Sequence, residues 1–208
     1  EHTSLSVTDR GGWFYALHQE NGAEETVVFR ADMDAIKGPG NIPYHGCGHD
    51  GHSAILAGLC LLTEGRVFQK NLCFLFQPAE ETGEGGNPCS RLLEELGADR
   101  VYGFHNLPGY PLGTAVMRRE TFSCDTVNTP EITDMSRMLF EQEGIPCLEA
   151  AAPFRWSEDF GGYLKKCQGM YFGIGAGEDC PDLHTPEYEF PDEVIRNAVR
   201  CLYLLAEI

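Results

Sequence analysis

The sequence predicts an α/β domain built on a mixed, mostly parallel sheet flanked by helices. Two observations carry this reading. Short β-branched or aromatic runs alternate along the chain with segments whose apolar residues recur at helical spacing, a pattern that lays helices over the faces of a parallel sheet. The residues with reactive side chains also gather beyond the predicted carboxyl ends of strands, where sheets of this kind assemble their sites. A chain of 208 residues that is 42% hydrophobic can bury one substantial core.

The first predicted strand is Thr26–Asp32, a buried-looking run that breaks into Lys37-Gly38-Pro39-Gly40. A helix over 52–65 follows, with Ile55, Leu56, Leu59 and Leu62 on one face and Gly65 as its stop. Asn71–Gln77 reads as a second strand, 89–96 as a short helix ended by Gly97, and 101–104 as a third strand. In the second half Asn128 or Thr129 caps a helix that has Pro130 in its first turn and Gly144 as its stop. Residues 156–167 predict a further helix, 170–174 a strand and 191–208 an amphipathic terminal helix. Asp32, Asp34, Glu80, Glu81 and His105 then fall together at strand ends.

Four segments concentrate the chemistry: His45-Gly46-Cys47-Gly48-His49-Asp50-Gly51-His52, Pro78-Ala79-Glu80-Glu81, Phe104-His105 and Leu183-His184-Thr185-Pro186. A thiol, imidazoles and a carboxylate pair so widely dispersed suit a catalytic divalent-metal site, because small structural zinc modules draw their ligands from close pairs. Glu80 and Glu81, as neighbours at the end of an extended strand, should point to opposite sides, one toward a metal and one toward water. His45 and His52 read more simply as hydrogen-bonded histidines than as ligands. Cys60, Cys73, Cys167 and Cys201 lie in apolar runs and read as core thiols, and Glu84, Glu94 and Glu95 as a solvated acidic face. Glu158 and Asp159 are either support for the metal ligands or an acidic pair favoured by a helix N-terminus.

The net charge of −17 argues against nucleic acid and anionic membrane as partners, since both are bound through clustered Lys and Arg. No run approaches the roughly 18 apolar residues of a membrane span. The nine cysteines are odd in number and mostly embedded in apolar segments, which fits reduced thiols and a cytoplasmic location.

Phe29-Arg30-Ala31-Asp32-Met33-Asp34-Ala35, Cys47-Gly48-His49-Asp50-Gly51-His52, Gln77-Pro78-Ala79-Glu80-Glu81, and Ser157-Glu158-Asp159-Phe160 with His184-Thr185-Pro186 occur in an order that resembles the M20 family of metallopeptidases and amidohydrolases, in particular its aminoacylase-like and auxin-conjugate-hydrolase-like branch. The resemblance implies a zinc-dependent exopeptidase-like catalytic domain that holds two divalent ions, Zn, Mn, Co or Ni. It implies Cys47, His49, Glu81, His105 and His184 as ligands, with Cys47 bridging the ions, and Glu80 as general base on a water at the ions. Asp32, with Asp34, would complete the catalytic set by orienting a ligand imidazole. Other branches carry a ligand histidine where this chain has Arg30, so that role passes to His49. Gly173-Ile174-Gly175-Ala176-Gly177 resembles a small-residue loop beside the substrate carboxylate.

The implied reaction is hydrolysis of the amide of an N-acyl amino acid or a short peptide-like conjugate. Family members insert a lid, which also mediates homodimerisation, where this chain runs directly from Cys124 to Asp125. Residues 1–208 therefore read as a single catalytic domain. The alternative is a lidless protein that binds metal and ligand with little or no turnover.

Overall fold

A computed structural model describes residues 3–208. Ser6–Asp9 (β1) and Phe14–His18 (β2) form an antiparallel hairpin that turns through Gly11 and Gly12, both at positive φ. This hairpin lies outside the predicted elements. Thr26–Asp32 (β3) follows, then the small ribbon of Ile36–Lys37 (β4) and Pro43–Tyr44 (β5), helix His49–Thr63 (α1) and Asn71–Gln77 (β6). Next come Gly86–Cys89 (α2), Arg91–Leu96 (α3), Arg100–Pro108 (β7), Ala115–Met117 (β8), Pro130–Gln142 (α4) and Cys147–Glu149 (β9). Gly161–Leu164 (α5), Gln168–Gly177 (β10) and Glu193–Glu207 (α6) complete the chain.

The strands form one eight-stranded sheet in the order β1-β2-β6-β3-β7-β10-β8-β9. Its centre, β6-β3-β7-β10, is parallel, while β2 and β8 join it antiparallel. Every residue of β3 is buried because both faces of the sheet are covered. Alternation along the strand sorts the side chains: Val27, Phe29 and Ala31 face one cluster with Ile55, Leu56 and Leu59 of α1 and Leu202 and Leu205 of α6. Val28 faces the other, with Leu92 and Leu93 of α3 and Tyr163 of α5. The register sets Asp32 opposite Gln77, so the loops leaving β3 and β6 emerge side by side.

Several predicted boundaries are corrected. Helix α1 begins at His49, so the metal-like motif runs into its first turn. Of 156–167 only Gly161–Leu164 is helical, because the preceding residues turn inward to pair with Arg30. The predicted helix 89–96 is split between α2 and α3, and Gly97 ends it at φ 60 as expected of a left-handed cap. Neither Asn128 nor Thr129 caps α4 with its side chain: Asn128 is stitched to the backbone of Tyr171, and the Thr129 hydroxyl accepts from Gly169 N–H. Gly173–Gly177 is no loop but the end of β10, paired with β7 and β8. At Cys124–Asp125 the chain makes a tight turn, with Thr121 bridged to Val127 and Phe122 N–H donating to Thr126 O at 2.9 Å.

All nine cysteines are free, and Cys60, Cys73, Cys167 and Cys201 are buried as predicted. Among the described residues no helix is long and apolar enough to cross a membrane.

Candidate metal centre

The sheet brings the dispersed residues to one end. Cys47 leads through Gly48, at φ 90, into the first turn of α1, which carries His49 and His52. The two imidazoles lie three residues apart on one helix face, ring centroids 5.3 Å apart, and both are fully buried. They are used differently. The Nδ1 of His49 lies 3.2 Å from Asp34 Oδ1; when it donates there, Nε2 is left with a free lone pair. Both ring nitrogens of His52 are engaged, Nδ1 with Asp32 Oδ1 at 2.5 Å and Nε2 with Asn106 Oδ1 at 2.6 Å. His52 is thus a hydrogen-bonded buried histidine, and Asp32 orients it rather than His49, whose Nε2 stands 3.9 Å from Asp32 Oδ1.

Beyond β6 the chain turns sharply at Ala79, a non-glycine residue at φ 53, and Glu80 and Glu81 follow in that turn rather than in an extended strand. Strand alternation therefore does not separate them. Both carboxylates face His49 Nε2, Glu80 at 4.0 Å and Glu81 at 3.8 Å. The Glu81 N–H donates to Asp34 Oδ2 at 3.1 Å, so one aspartate steadies both a histidine and the carboxylate turn.

His105, near the end of β7, donates from Nδ1 to the carbonyl of Asn106 at 2.8 Å and turns Nε2 toward Cys47 Sγ, 3.5 Å away. His184 arrives from the far end of the chain on the loop before α6, with Nε2 3.3 Å from Glu81 Oε1. Five sets of donors result, each with its atoms within 4.8 Å of one another: Cys47 with His49 and His105, Cys47 with Glu81 and His184, His49 with Glu80 and Glu81, Asp32 with His49 and His52, and Glu80 with Glu158 and Asp159. The first three meet at a cavity of about 230 Å³ that includes Cys47, Glu80, Glu81, His105 and His184, with Trp156 and Leu183 as apolar wall.

Three atoms here are buried without a hydrogen-bond partner among the described residues, His49 Nε2, Glu81 Oε1 and Trp156 Nε1, and the first two are atoms that can ligate a cation. Buried polar atoms without a hydrogen bond are costly, and His49 Nε2 and Glu81 Oε1 each belong to a donor set that a divalent cation could complete. The electrostatics agree. Burial and the nearby charges of Glu158, Asp32 and Asp159 push the Glu80 carboxyl up to about 9 against the pull of Arg30. His49 moves the same way: against the effect of burial, Asp32, Asp34 and Glu80 hold it up to about 9. Burial and Glu81 push the Cys47 thiol far above its ordinary value. Burial leads the Glu80 and Cys47 shifts, but neighbouring carboxylates add to all three, and a divalent cation would offset that negative charge; a coordinated thiol is deprotonated. The residues present fit such ions.

Beneath the cavity lies Arg30, fully buried. Its Nη1 donates to Asp32 Oδ2 at 2.6 Å, its Nη2 to Asp159 Oδ1 at 2.8 Å, and its Nε to Gln77 Oε1 at 2.9 Å; Glu158 Oε1 stands 3.4 Å from Nη2. Glu158 and Asp159 are therefore partners of an arginine, not an N-terminal acidic pair. Gln77 takes part in this hydrogen bonding, and Asn106 and Tyr188 in that of His52; the sequence assigns none of the three a role. Only Gln77 and Asn106 had a signal, as neighbours of the Pro78-Ala79-Glu80-Glu81 and Phe104-His105 motifs.

The model of peptidase family M20/M25/M40 matches residues 28–208. The chain belongs to the M20 family. Among curated relatives of this M20 chain, an N-acetyldiaminopimelate deacetylase of Listeria monocytogenes is 35% identical over 116 residues, covering 49% of this chain and 31% of the relative. An uncharacterised hydrolase of Staphylococcus aureus is 33% identical over 152 residues, 63% of this chain and 39% of the relative. The matches thus span between 31% and 39% of the length of these relatives. Among solved structures, the YXEP protein of Bacillus subtilis, called a dinuclear metal binding peptidase from the M20 family, superposes with a TM-score of 0.85 at 16% identity over 98% of this chain and 87% of that one. The LapA aminopeptidase of Legionella pneumophila superposes at 0.72, with 15% identity over 100% of this chain and 59% of that one. At these identities the likeness establishes the M20 chain's fold: an α/β architecture with a mostly parallel sheet flanked by helices.

Proposed function

We propose that residues 1–208 form a single catalytic domain that hydrolyses the amide bond of N-acyl amino acids or short peptide-like conjugates, with Cys47, His49, Glu81, His105 and His184 holding two divalent ions. The observation that carries this reading is the pair of buried, unpartnered atoms His49 Nε2 and Glu81 Oε1 at the meeting point of the donor sets. Cys47 belongs to two of those sets, which supports it as the bridge, with His49 and His105 on one side and Glu81 and His184 on the other. Thiolate, imidazole and carboxylate together suit Zn, Mn, Co or Ni. The relatives named as deacetylases of an N-acetylated amino acid support a small N-acyl substrate. Nine free thiols support a reducing compartment, which we take to be the cytoplasm.

Bound ions would supply Lewis-acid polarisation of the scissile carbonyl and a lowered pKa for water. The chain's own groups move the proton. Glu80, whose carboxylate borders the cavity without filling a place in either Cys47 set, takes the proton from the water that attacks the carbonyl carbon. It returns that proton to the amide nitrogen as the C–N bond breaks, so a carboxylic acid and an amine leave. Asp34 keeps His49 in the tautomer that presents Nε2. The apolar wall of Trp156 and Leu183 takes the organic part of the substrate.

Chelation tests the reading directly. The two large hydrophobic clusters close on the sheet without the centre, so dialysis against a chelator should leave the far-ultraviolet circular dichroism essentially unchanged while hydrolysis of N-acetyl amino acids falls to background and returns with Zn or Mn. Cooperative unfolding on chelation would make the ions structural instead. Undiminished hydrolysis would remove them from the reaction.

A further inference from the structure

His184 sits on a stretch without regular secondary structure, 178–190, in which Tyr188 is the one buried side chain among the described residues. The imidazole itself is 51% exposed and its backbone is left-handed at φ 65, so packing around the ring does not hold it. Two hydrogen bonds place this loop. The His184 N–H donates to Gly46 O at 2.7 Å, on the strand of chain that leads to Cys47. Four residues further on, Tyr188 receives a hydrogen bond from Asn106 Nδ2 at 2.6 Å.

Asn106 is the residue whose carbonyl fixes the tautomer of His105, and its Oδ1 is held by His52. The contact passes through space that only glycine leaves open. A Cβ at Gly48 would stand 2.6 Å from the Tyr188 hydroxyl and 2.7 Å from Asn106 Oδ1. One buried hydroxyl thus ties the loop of His184 to the strand of His105 and passes directly over the Cys47-Gly48-His49 turn.

On the two-ion reading given above, we propose that Tyr188 is a positioning residue for the ion held by Glu81 and His184, acting through its hydrogen bond to Asn106. Its side chain is not among those lining the cavity of the donors. It sets where His184 stands, so its loss should weaken one ion and spare the other.

The test is cobalt titration of the metal-free parent chain, of Tyr188→Phe, of His184→Ala and of the double variant, followed by the d–d and thiolate-to-cobalt absorption. Tyr188→Phe removes one oxygen and leaves the ring in its packing. The parent should take up two ions. Tyr188→Phe should bind the first as the parent does and the second roughly ten- to a hundredfold more weakly, the usual cost of losing a partner that orients a ligand. In the His184→Ala background the same substitution should cost no further affinity, because its effect runs through His184. Parent-like affinity for both ions in Tyr188→Phe, equal weakening of both, or additive losses in the double variant would each overturn the proposal. A parent chain that binds no cobalt, or binds it without a thiolate band, would overturn the metal centre itself, and the parent titration alone reveals that.

Discussion

On the proposed reading, replacing Glu80 by Gln should lower the hydrolysis of an N-acyl amino acid by roughly a hundred- to ten-thousandfold, the usual contribution of a positioned general base, while both ions stay bound. The amide keeps the shape of the side chain and its hydrogen-bonding capacity but not its basicity. The neighbouring Glu81→Gln should behave in the opposite sense, losing an ion first, since Glu81 contributes an unpartnered buried atom and belongs to a Cys47 set. Both carboxylates lie at nearly the same distance from His49 Nε2, 4.0 Å and 3.8 Å, and both share a donor set with it; the proposed roles rest on Glu81 alone also joining a Cys47 set. Measuring kcat/KM beside ion content by elemental analysis separates them. A loss under about tenfold in Glu80→Gln, against the range usual for a general base, would remove Glu80 from the proton path. A loss of ion there would make it a ligand instead.

The sheet was legible wherever burial on both faces wrote itself as a continuous apolar run. Thr26–Asp32 and Asn71–Gln77 match their predicted limits for that reason. The β1–β2 hairpin was missed because it is a half-exposed edge whose runs are short and mixed, though Gly11-Gly12 was a usable turn signal. Residues 156–167 failed as a helix for a different cause: Glu158 and Asp159 are drawn to Arg30, a partner more than a hundred residues away, and tertiary pairing overrode local propensity.

The site divides in the same way. Cys47, His49, Glu80, Glu81, His105 and His184 announce themselves by residue type and motif, and the fold brings them within reach of one cavity. Their supports do not announce themselves. Nothing in the sequence tells that Asp34 serves His49 while Asp32 serves His52, because that choice depends on how α1 is rotated against β3. Tyr188 is likewise an ordinary tyrosine until the loop is folded onto Asn106.

Arg30 carries the other large expected effect, on stability. Its side chain is inaccessible to solvent and faces Asp32, Glu158 and Asp159, whose side chains are 0%, 1% and 10% exposed. Such a group gains little over a well-packed apolar replacement of the whole cluster, but removing one sign of charge alone leaves the other buried and uncompensated, at a cost of about 3–5 kcal/mol. Arg30→Met should therefore lose that much in urea unfolding, and Arg30→Lys should restore only part of it, since an ammonium cannot reproduce the fork that reaches Gln77, Asp32 and Asp159 together. The deficit should depend on pH with a definite sign. Burial, with Asp32 and Asp159 nearby, already raises the Glu158 carboxyl to about 7 even though Arg30 pulls it down, so without the arginine it rises further. The folded variant then holds a proton that the unfolded chain has released, and its stability falls as pH rises through that range. The gap between Arg30→Met and the parent should be smaller near pH 5 than near pH 8. A loss under about 1 kcal/mol, well short of the range for a broken buried pair, would mean that water or a rearranged partner reaches these carboxylates. A gap that shrank as pH rose would mean that they are not the groups left unpaired.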